Sequence, residues 1–509
     1  MKRLFILLAI TLTVNVNAQP NIDMVQTDAG KISGTLSNDG GVHIFKGIPF
    51  AAPPVGELRW KAPQPVSHWD GVKACKEFAK SPIQGKPNEF GVYTREFLIK
   101  DEPLSEDCLY LNVWTGAKSA TEKRAVLVWI YGGGFVSGGT NVPIYDGEAL
   151  AKKGVILVSI PYRVGILGFF AHPELTKESP EHTSGNYGLM DLIAGLKWIQ
   201  NNIAAFGGDP ANVTIAGQSA GSMSVNSLVA SPLAKGLFNK AIAESGANFI
   251  NGPFGSTTLK QAEAGGVETA QKLGARSLTE LRKLPARELL KQFGGRPIVD
   301  GYVLPQSVAD IFAAGKENPV SLLTGWNEDD AFFDQLKSAN EYKAAATKEY
   351  GTKAGELLKL YPAGSDGEAR RSQIRILRDR MFGMQNYTWA NIQSAKGRKV
   401  YVYRFTRRMP ATADFVKYGA FHTAEVPYVF NNLKFVNRPF ERVDHQLADA
   451  ASSYWVNFAK NGNPNGPGLP NWPAYTTGAK QIMLLGDKPM AVPLPDRAAL
   501  DFMVNVTGK

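Results

Sequence analysis

Short apolar runs separated by polar and glycine-rich stretches recur along the chain. The clearest are Leu109 to Trp114, Ala125 to Ile130, Val155 to Ile160, Val213 to Ala216, Ala241 to Ala243, Val320 to Leu323 and Val400 to Phe405. Their length and β-branched content predict buried strands. Between many of them lie segments of helical length. In Gly188 to Ile203 the residues Leu189, Ile193, Leu196, Trp198, Ile199 and Ile203 recur near helical spacing. Strands alternating with helices predict an α/β fold, with a central, mostly parallel sheet covered by helices on both faces. Residues 256–297 and 335–395 are rich in helix formers and break the alternation. They are expected to be helical lid insertions over a site. The polar Asn461 to Pro473 is of loop length, not linker length.

The amino terminus follows a different logic. Lys2 and Arg3 precede the apolar run Leu4 to Val14, and small residues end at Ala18. This is the pattern of a secretory signal peptide cut before Gln19. The run is too short to span a bilayer, and no later stretch is long and apolar enough to do so. An uncleaved anchor is the alternative. Residues 1–18 are therefore read as a signal peptide and 19–509 as one domain, although the length of 509 residues alone would suggest about three. The expected location is secreted or periplasmic. Removing Lys2 and Arg3 lowers the formal net charge from +10 to +8. No run of five or six basic residues reads as a nucleic-acid arm, and a mild positive charge favours anionic partners at most. An exported chain meets oxidising conditions, so its two cysteines, Cys75 and Cys108, are expected to form a disulfide. Closing that loop would contribute roughly 3.5 kcal/mol; two buried free thiols are the alternative.

Candidate chemistry concentrates at Gly217-Gln218-Ser219-Ala220-Gly221, where the run Val213 to Ala216 meets small residues that suit a helix. A Gly-x-Ser-x-Gly turn between strand and helix holds its Ser in a strained conformation with the hydroxyl projecting at the carboxyl end of the sheet. The N–H of Ala220 and the helix terminus would then face a developing oxyanion. Upstream, Gly132-Gly133-Gly134 follows another strand. Three consecutive glycines make sense if the N–H groups of Gly133 and Gly134 must approach a ligand, where each oxyanion donor contributes a few kcal/mol. Of the six histidines, His43, His68, His172 and His182 precede Ser219. In hydrolases built on this turn the base follows the acid in chain order. His445 lies in a helical pattern, whereas His422 lies in a short loop after Val400 to Phe405 and is the expected base. The strand Val320 to Leu323 runs into Glu328, Asp329 and Asp330; any of the three could orient the histidine.

These pieces sit among longer motifs. "FKGIPFAAPPVGELRW", "SEDCLYLNVW", "YGGGF", "PYRVGILGFF", "GNYGLMDL", "FGGDPANVTIAGQSAGS", "GAFHTAEVPYVF" and "NGNPNGPGLPNWPAY" occur in one order over nearly all of residues 19–509. They resemble the type B carboxylesterases, the family that includes the cholinesterases. The resemblance implies an α/β-hydrolase fold and a Ser–His–acid triad of Ser219, His422 and one acid. The family typically shows Gly-x-Asn-x-Asp-Glu-Gly where this chain has Gly325-Trp326-Asn327-Glu328-Asp329-Asp330-Ala331. The family Glu falls on Asp330, one methylene shorter, so either the loop comes closer to His422 or a neighbouring acid takes the role. Ser245 matches a family Ser that supports the acid. Gln218 stands where cholinesterases carry Glu. Cys108 matches a family cysteine, but its usual partner near "FAKSPIQ" is missing, so a bridge to Cys75 would be shifted.

The activity implied is hydrolysis of small carboxylic esters through an acyl-enzyme, with no metal or organic cofactor. The alternative is a non-catalytic adhesion module of the same family. Between Lys76 and Asp107 there is no Trp to receive a choline group, only aromatics such as Phe90, Tyr93 and Phe97, so a preference for cationic esters is not expected.

Overall fold

The computed structural model describes residues 22–507 apart from 102, 250–256, 293 and 332–335. The signal-peptide reading of residues 1–18 lies outside the described residues. A large sheet of eleven strands carries the fold. In chain order the strands are β1 (Thr35–Leu36), β2 (His43–Pro49), β3 (Tyr110–Thr115), β4 (Arg124–Ile130), β5 (Ile156–Ser159) and β6 (Gly208–Gln218). They continue with β7 (Lys240–Glu244), β8 (Ser321–Asn327), β9 (Val400–Phe405), β10 (Gln481–Leu485) and β11 (Met490–Pro493). Across the sheet the order is β11-β10-β9-β8-β7-β6-β4-β5-β3-β2-β1. The run from β10 to β5 is parallel throughout; β11 at one edge and β3, β2 and β1 at the other are antiparallel.

All seven expected strands are present, and they form the buried middle of the sheet. Most of their side chains are buried on both faces, which is why they read as continuous apolar runs. The helix expected from Gly188 is α1 (Tyr187–Asn202). Helix α2 (Ala220–Ala230) packs on β6 and β7, and α3 (Arg442–Asn461) packs against β4 and β6. Thr214 in β6 donates to the Ala459 carbonyl of α3.

The two helix-rich stretches are helical. The first holds Leu259–Lys272, Leu278–Lys283 and Ala286–Leu289; the second runs from Ala339–Tyr350 to Met384–Ala395. Both contribute to the wall of the site described below.

The expected disulfide is a correction: Cys75 and Cys108 are free, buried thiols. Each is held in its own surroundings. Cys75 follows the strand Val72–Ala74, with its N–H on the Ser33 carbonyl and its sulfur 3.8 Å from the Gly47 carbonyl. Cys108 lies just before β3 in the field of the buried Arg163–Asp191 pair. Burial raises both thiols, Cys75 to about 11 and Cys108 further. Both stay protonated and unreactive at neutral pH.

Candidate active site

The segments that follow β4, β6 and β7 and the loop after β9 border one cavity of about 820 Å³, a size suited to a small organic ligand. Ser219 stands immediately after β6 as the first non-helical residue before α2, with φ 58° and ψ −124°. That strained conformation is held because its N–H donates to the Glu244 carbonyl at 2.9 Å, and its side chain caps no helical N–H. The flanking glycines are required by contact. A Cβ on Gly217 would lie 2.5 Å from the Gly221 carbonyl carbon, and one on Gly221 would lie 2.1 Å from the Ile130 oxygen of β4. The Ser219 turn is therefore pressed against the neighbouring strand, where no other residue fits.

The glycine loop wraps the same cavity. The Gly133 carbonyl accepts from the N–H groups of Val136 and Ser137, at 3.1 and 3.0 Å. Among the described residues no backbone carbonyl takes the N–H of Gly133 or Gly134. Gly133 has φ 108°, and a Cβ there would meet the Ser137 oxygen at 2.3 Å. Ala220 opens α2, so its N–H has no intrahelical acceptor. Gly133, Gly134, Ser219 and Ala220 all line the cavity.

His422 lines it too, almost fully buried. Its Nδ1 lies 2.5 Å from Asp330 Oδ1. The other oxygen, Oδ2, accepts from the Ser245 hydroxyl at 2.6 Å and from the Asn327 N–H at 3.0 Å. Of the three acids the residues alone left open, Asp330 is the one on the histidine. Glu328 pairs with Arg378 and Arg404. Asp329 accepts the Ala420 N–H at 2.8 Å, and its own N–H donates to the Ala420 carbonyl. Asp329 thus draws the histidine loop close, and a Cβ on Gly419 would lie 2.1 Å from its Oδ2. This closeness compensates for the shorter side chain of Asp330. Gln218 places its amide nitrogen 3.1 Å from Nε2 and 3.4 Å from Nδ1 of His422. His445 lies in α3, as its pattern predicted.

Two contacts of His422, one to its ring and one to its backbone, have no signature in the sequence. Phe382 stacks on it, with ring centroids 4.5 Å apart and planes at 14°. It is carried by the π-helical turn Asp379–Gly383 within the second insertion. Tyr93 donates its hydroxyl to the His422 carbonyl at 2.9 Å. Phe382 follows the highly charged helix Asp366–Arg378, and only long-range packing brings it to the site. Trp326 is fully buried with Arg404 over its ring at 5.1 Å, so it offers no face to a ligand.

The chain is similar to known proteins over nearly its whole length. A family model for the carboxylesterase family matches residues 21–502. A fumonisin B1 esterase of Sphingopyxis macrogoltabida is 38% identical over 494 residues, covering 91% of this chain and 86% of that protein. A para-nitrobenzyl esterase of Bacillus subtilis is 36% identical, covering 91% and 94%. A solved PNB esterase structure superposes with a TM-score of 0.81 at 33% identity, covering 95% of this chain and 99% of that one. A strained serine on a mostly parallel sheet, in one cavity with a glycine loop and an aspartate-bound histidine, is thus found in a chain that belongs to the carboxylesterase family, of the type B kind, and is a carboxylic ester hydrolase with an α/β-hydrolase fold.

Proposed function

We propose that the chain hydrolyses small carboxylic esters by nucleophilic catalysis, with Ser219 as nucleophile, His422 as base and Asp330 as the acid that orients it. The observation that carries this reading is the 2.5 Å contact between His422 Nδ1 and Asp330 Oδ1 in the cavity that Ser219 lines. With Nδ1–H donated to the carboxylate, Nε2 is left to accept a proton. Ser219 attacks the ester carbonyl, its proton passes to Nε2, and the oxyanion is held by the N–H groups of Gly133, Gly134 and Ala220. The C–O bond breaks as His422 returns the proton to the leaving alcohol. Water, deprotonated by His422, then releases the acid and frees Ser219.

The test is a pre-steady-state burst of 4-nitrophenol from a short-chain 4-nitrophenyl ester, followed by mass spectrometry of the trapped acyl-enzyme. An acyl group on the peptide containing Ser219 is expected. Steady turnover with no burst and no labelled serine, under conditions where acylation outpaces hydrolysis, would speak for another mechanism.

The amino-terminal pattern supports a further part of the reading: the protein is exported, with cleavage after Ala18. Sequencing the amino terminus of protein recovered from the periplasm or medium should begin at Gln19. Recovery of Met1 on membrane-bound protein would mean an uncleaved anchor.

A further inference from the structure

The loop that leaves the strand Ser81–Pro82 grips the site at two separate points. Its ends are joined: Ser81–Pro82 pairs with Leu104–Ser105, and the Ile83 N–H donates to the Ser105 carbonyl at 3.0 Å. Near its start the buried Gln84 reads the backbone of Gly138 as a neighbouring strand would. Its Oε1 accepts from the Gly138 N–H and its Nε2 donates to the Gly138 carbonyl, both at 2.8 Å. Nε2 also donates to the Pro82 carbonyl at 2.9 Å. Gly138 closes the glycine loop with φ 116°, where a Cβ would lie 2.5 Å from the Tyr131 ring. One residue earlier, Ser137 donates its N–H and its hydroxyl to the Gly133 carbonyl, at 3.0 and 3.1 Å. The Gly133 carbonyl and the Gly134 N–H share one planar trans peptide and point opposite ways. Holding Gly138 therefore holds Ser137, and Ser137 fixes the direction of the Gly134 N–H.

The second grip is on the histidine loop. Tyr93 donates its hydroxyl to the His422 carbonyl at 2.9 Å, and the same oxygen stands 3.4 Å from the Thr423 hydroxyl. Thr423 has φ 80°, a conformation that a β-branched residue keeps only when its surroundings impose it. The Tyr93 ring is itself fixed edge-on to Phe97 and to Phe421, with both centroids 6.1 Å away. Beside it, Arg438 donates to the Val92 carbonyl at 3.1 Å. Between the two grips Lys86, Pro87, Asn88 and Phe90 line the cavity. Cys75 and Cys108 are free, so no bridge between them fixes this loop.

We propose that residues 84–93 form a strap that holds the oxyanion loop and the base in register with one another, with Gln84 and Tyr93 as its positioning residues. The inference rests on the roles given to Gly133, Gly134 and His422. The glycine loop follows β4 and the histidine loop follows β9, and β6, β7 and β8 lie between those strands. Neighbouring strands are about 4.8 Å apart, so the sheet does not itself fasten the two loops together. Ser219 is held separately, by the Glu244 carbonyl. The strap crosses over the site and makes hydrogen bonds to both loops.

Gln84→Leu and Tyr93→Phe remove the polar grips and keep most of the side-chain volume. Each is expected to lower kcat by about 10- to 100-fold and to change KM less than about twofold, because small displacements of reacting groups cost rate rather than binding. The double variant should lose little more than the worse single one, because either cut frees the same strap. Proton NMR of the full chain with 15N-labelled histidine reads the His422 Nδ1–H on Asp330. Wild type is expected to show a low-field resonance that Asp330→Asn abolishes. Tyr93→Phe should shift or broaden it. Gln84→Leu should do so too, although Gln84 touches only the glycine loop side. An unmoved resonance in Gln84→Leu, or rate losses that multiply in the double variant, overturns the strap. A raised KM with unchanged kcat makes the segment a binding wall and overturns the positioning roles. Tyr93→Phe removes one oxygen from an intact ring cluster and decides the matter if Gln84→Leu does not fold: wild-type kcat and an unmoved resonance there overturn the proposal. The resonance needs no turnover, so failure of the Ser219 mechanism shows separately, as activity surviving Ser219→Ala.

Discussion

Ser219→Ala removes a hydroxyl that makes no helix-capping bond, so the turn itself loses nothing. Activity is expected to fall by several orders of magnitude while the melting temperature stays put, because loss of a nucleophile removes the unit rather than one contact. Retention of more than a few per cent activity in a clean preparation would refute the assignment. The acid turn allows a sharper comparison. Asp330→Asn leaves an amide where His422 Nδ1–H needs an acceptor, which favours the wrong tautomer and should lower kcat by about 10³ to 10⁴. Asp329→Asn keeps an acceptor oxygen for the Ala420 N–H, and Glu328→Gln touches only the arginine cluster. Both should cost far less than Asp330→Asn when the three are assayed side by side.

At the scale of elements, the Ser219 turn holds its shape because β4, β6 and α2 meet without side chains between them. Gly221→Ala puts a methyl 2.1 Å from the Ile130 carbonyl oxygen. Backbone on both sides cannot yield, so the change should destabilise by about 1–3 kcal/mol and lower kcat through displacement of Ser219. Denaturant unfolding alongside kinetics checks both. The small sheet of Met24–Gln26, Lys31–Ser33 and Val72–Ala74 leads into Cys75. It owes nothing to a disulfide, because both thiols are free. Reductant should leave the melting temperature unchanged, and a thiol reagent should titrate two groups only after unfolding.

For the whole molecule, the sign of charge around the cavity matters. Its charged lining residues are Lys86 and Arg296, and no Asp or Glu lines it among the described residues. Gln218 stands beside His422 without a negative charge. Phe90, Tyr93 and Phe97 do line the cavity and offer aromatic faces. A cation gains about 2 kcal/mol from such a face when desolvated, but here it meets two like charges in addition. Acetylcholine should therefore show no advantage in kcat/KM over its neutral isostere, 3,3-dimethylbutyl acetate. A tenfold preference for the cation would mean that these aromatics outweigh the basic lining.

The chain's own order of residues determined its sheet and its chemistry to a large extent. The middle strands are buried on both faces, so each shows as an apolar run that needs no partner to be recognised. The motifs around Gly133, Ser219 and His422 carry local backbone constraints, and a local constraint leaves a local signature. Edge strands such as β1 and β11 escaped because they are short and largely exposed. Among the acids, Glu328, Asp329 and Asp330 are neighbours of the same type, and only family register singled out the third. Tertiary structure separated them physically: the strand end turns one carboxylate to the histidine, one to Ala420 and one to an arginine cluster. It also decided against the disulfide, since two cysteines in one chain do not say which strands enclose them. Phe382 on the imidazole is a contact between two separate elements, the π-helical turn of the second insertion and the histidine loop. Packing of whole elements creates such contacts, and no short stretch of sequence records them.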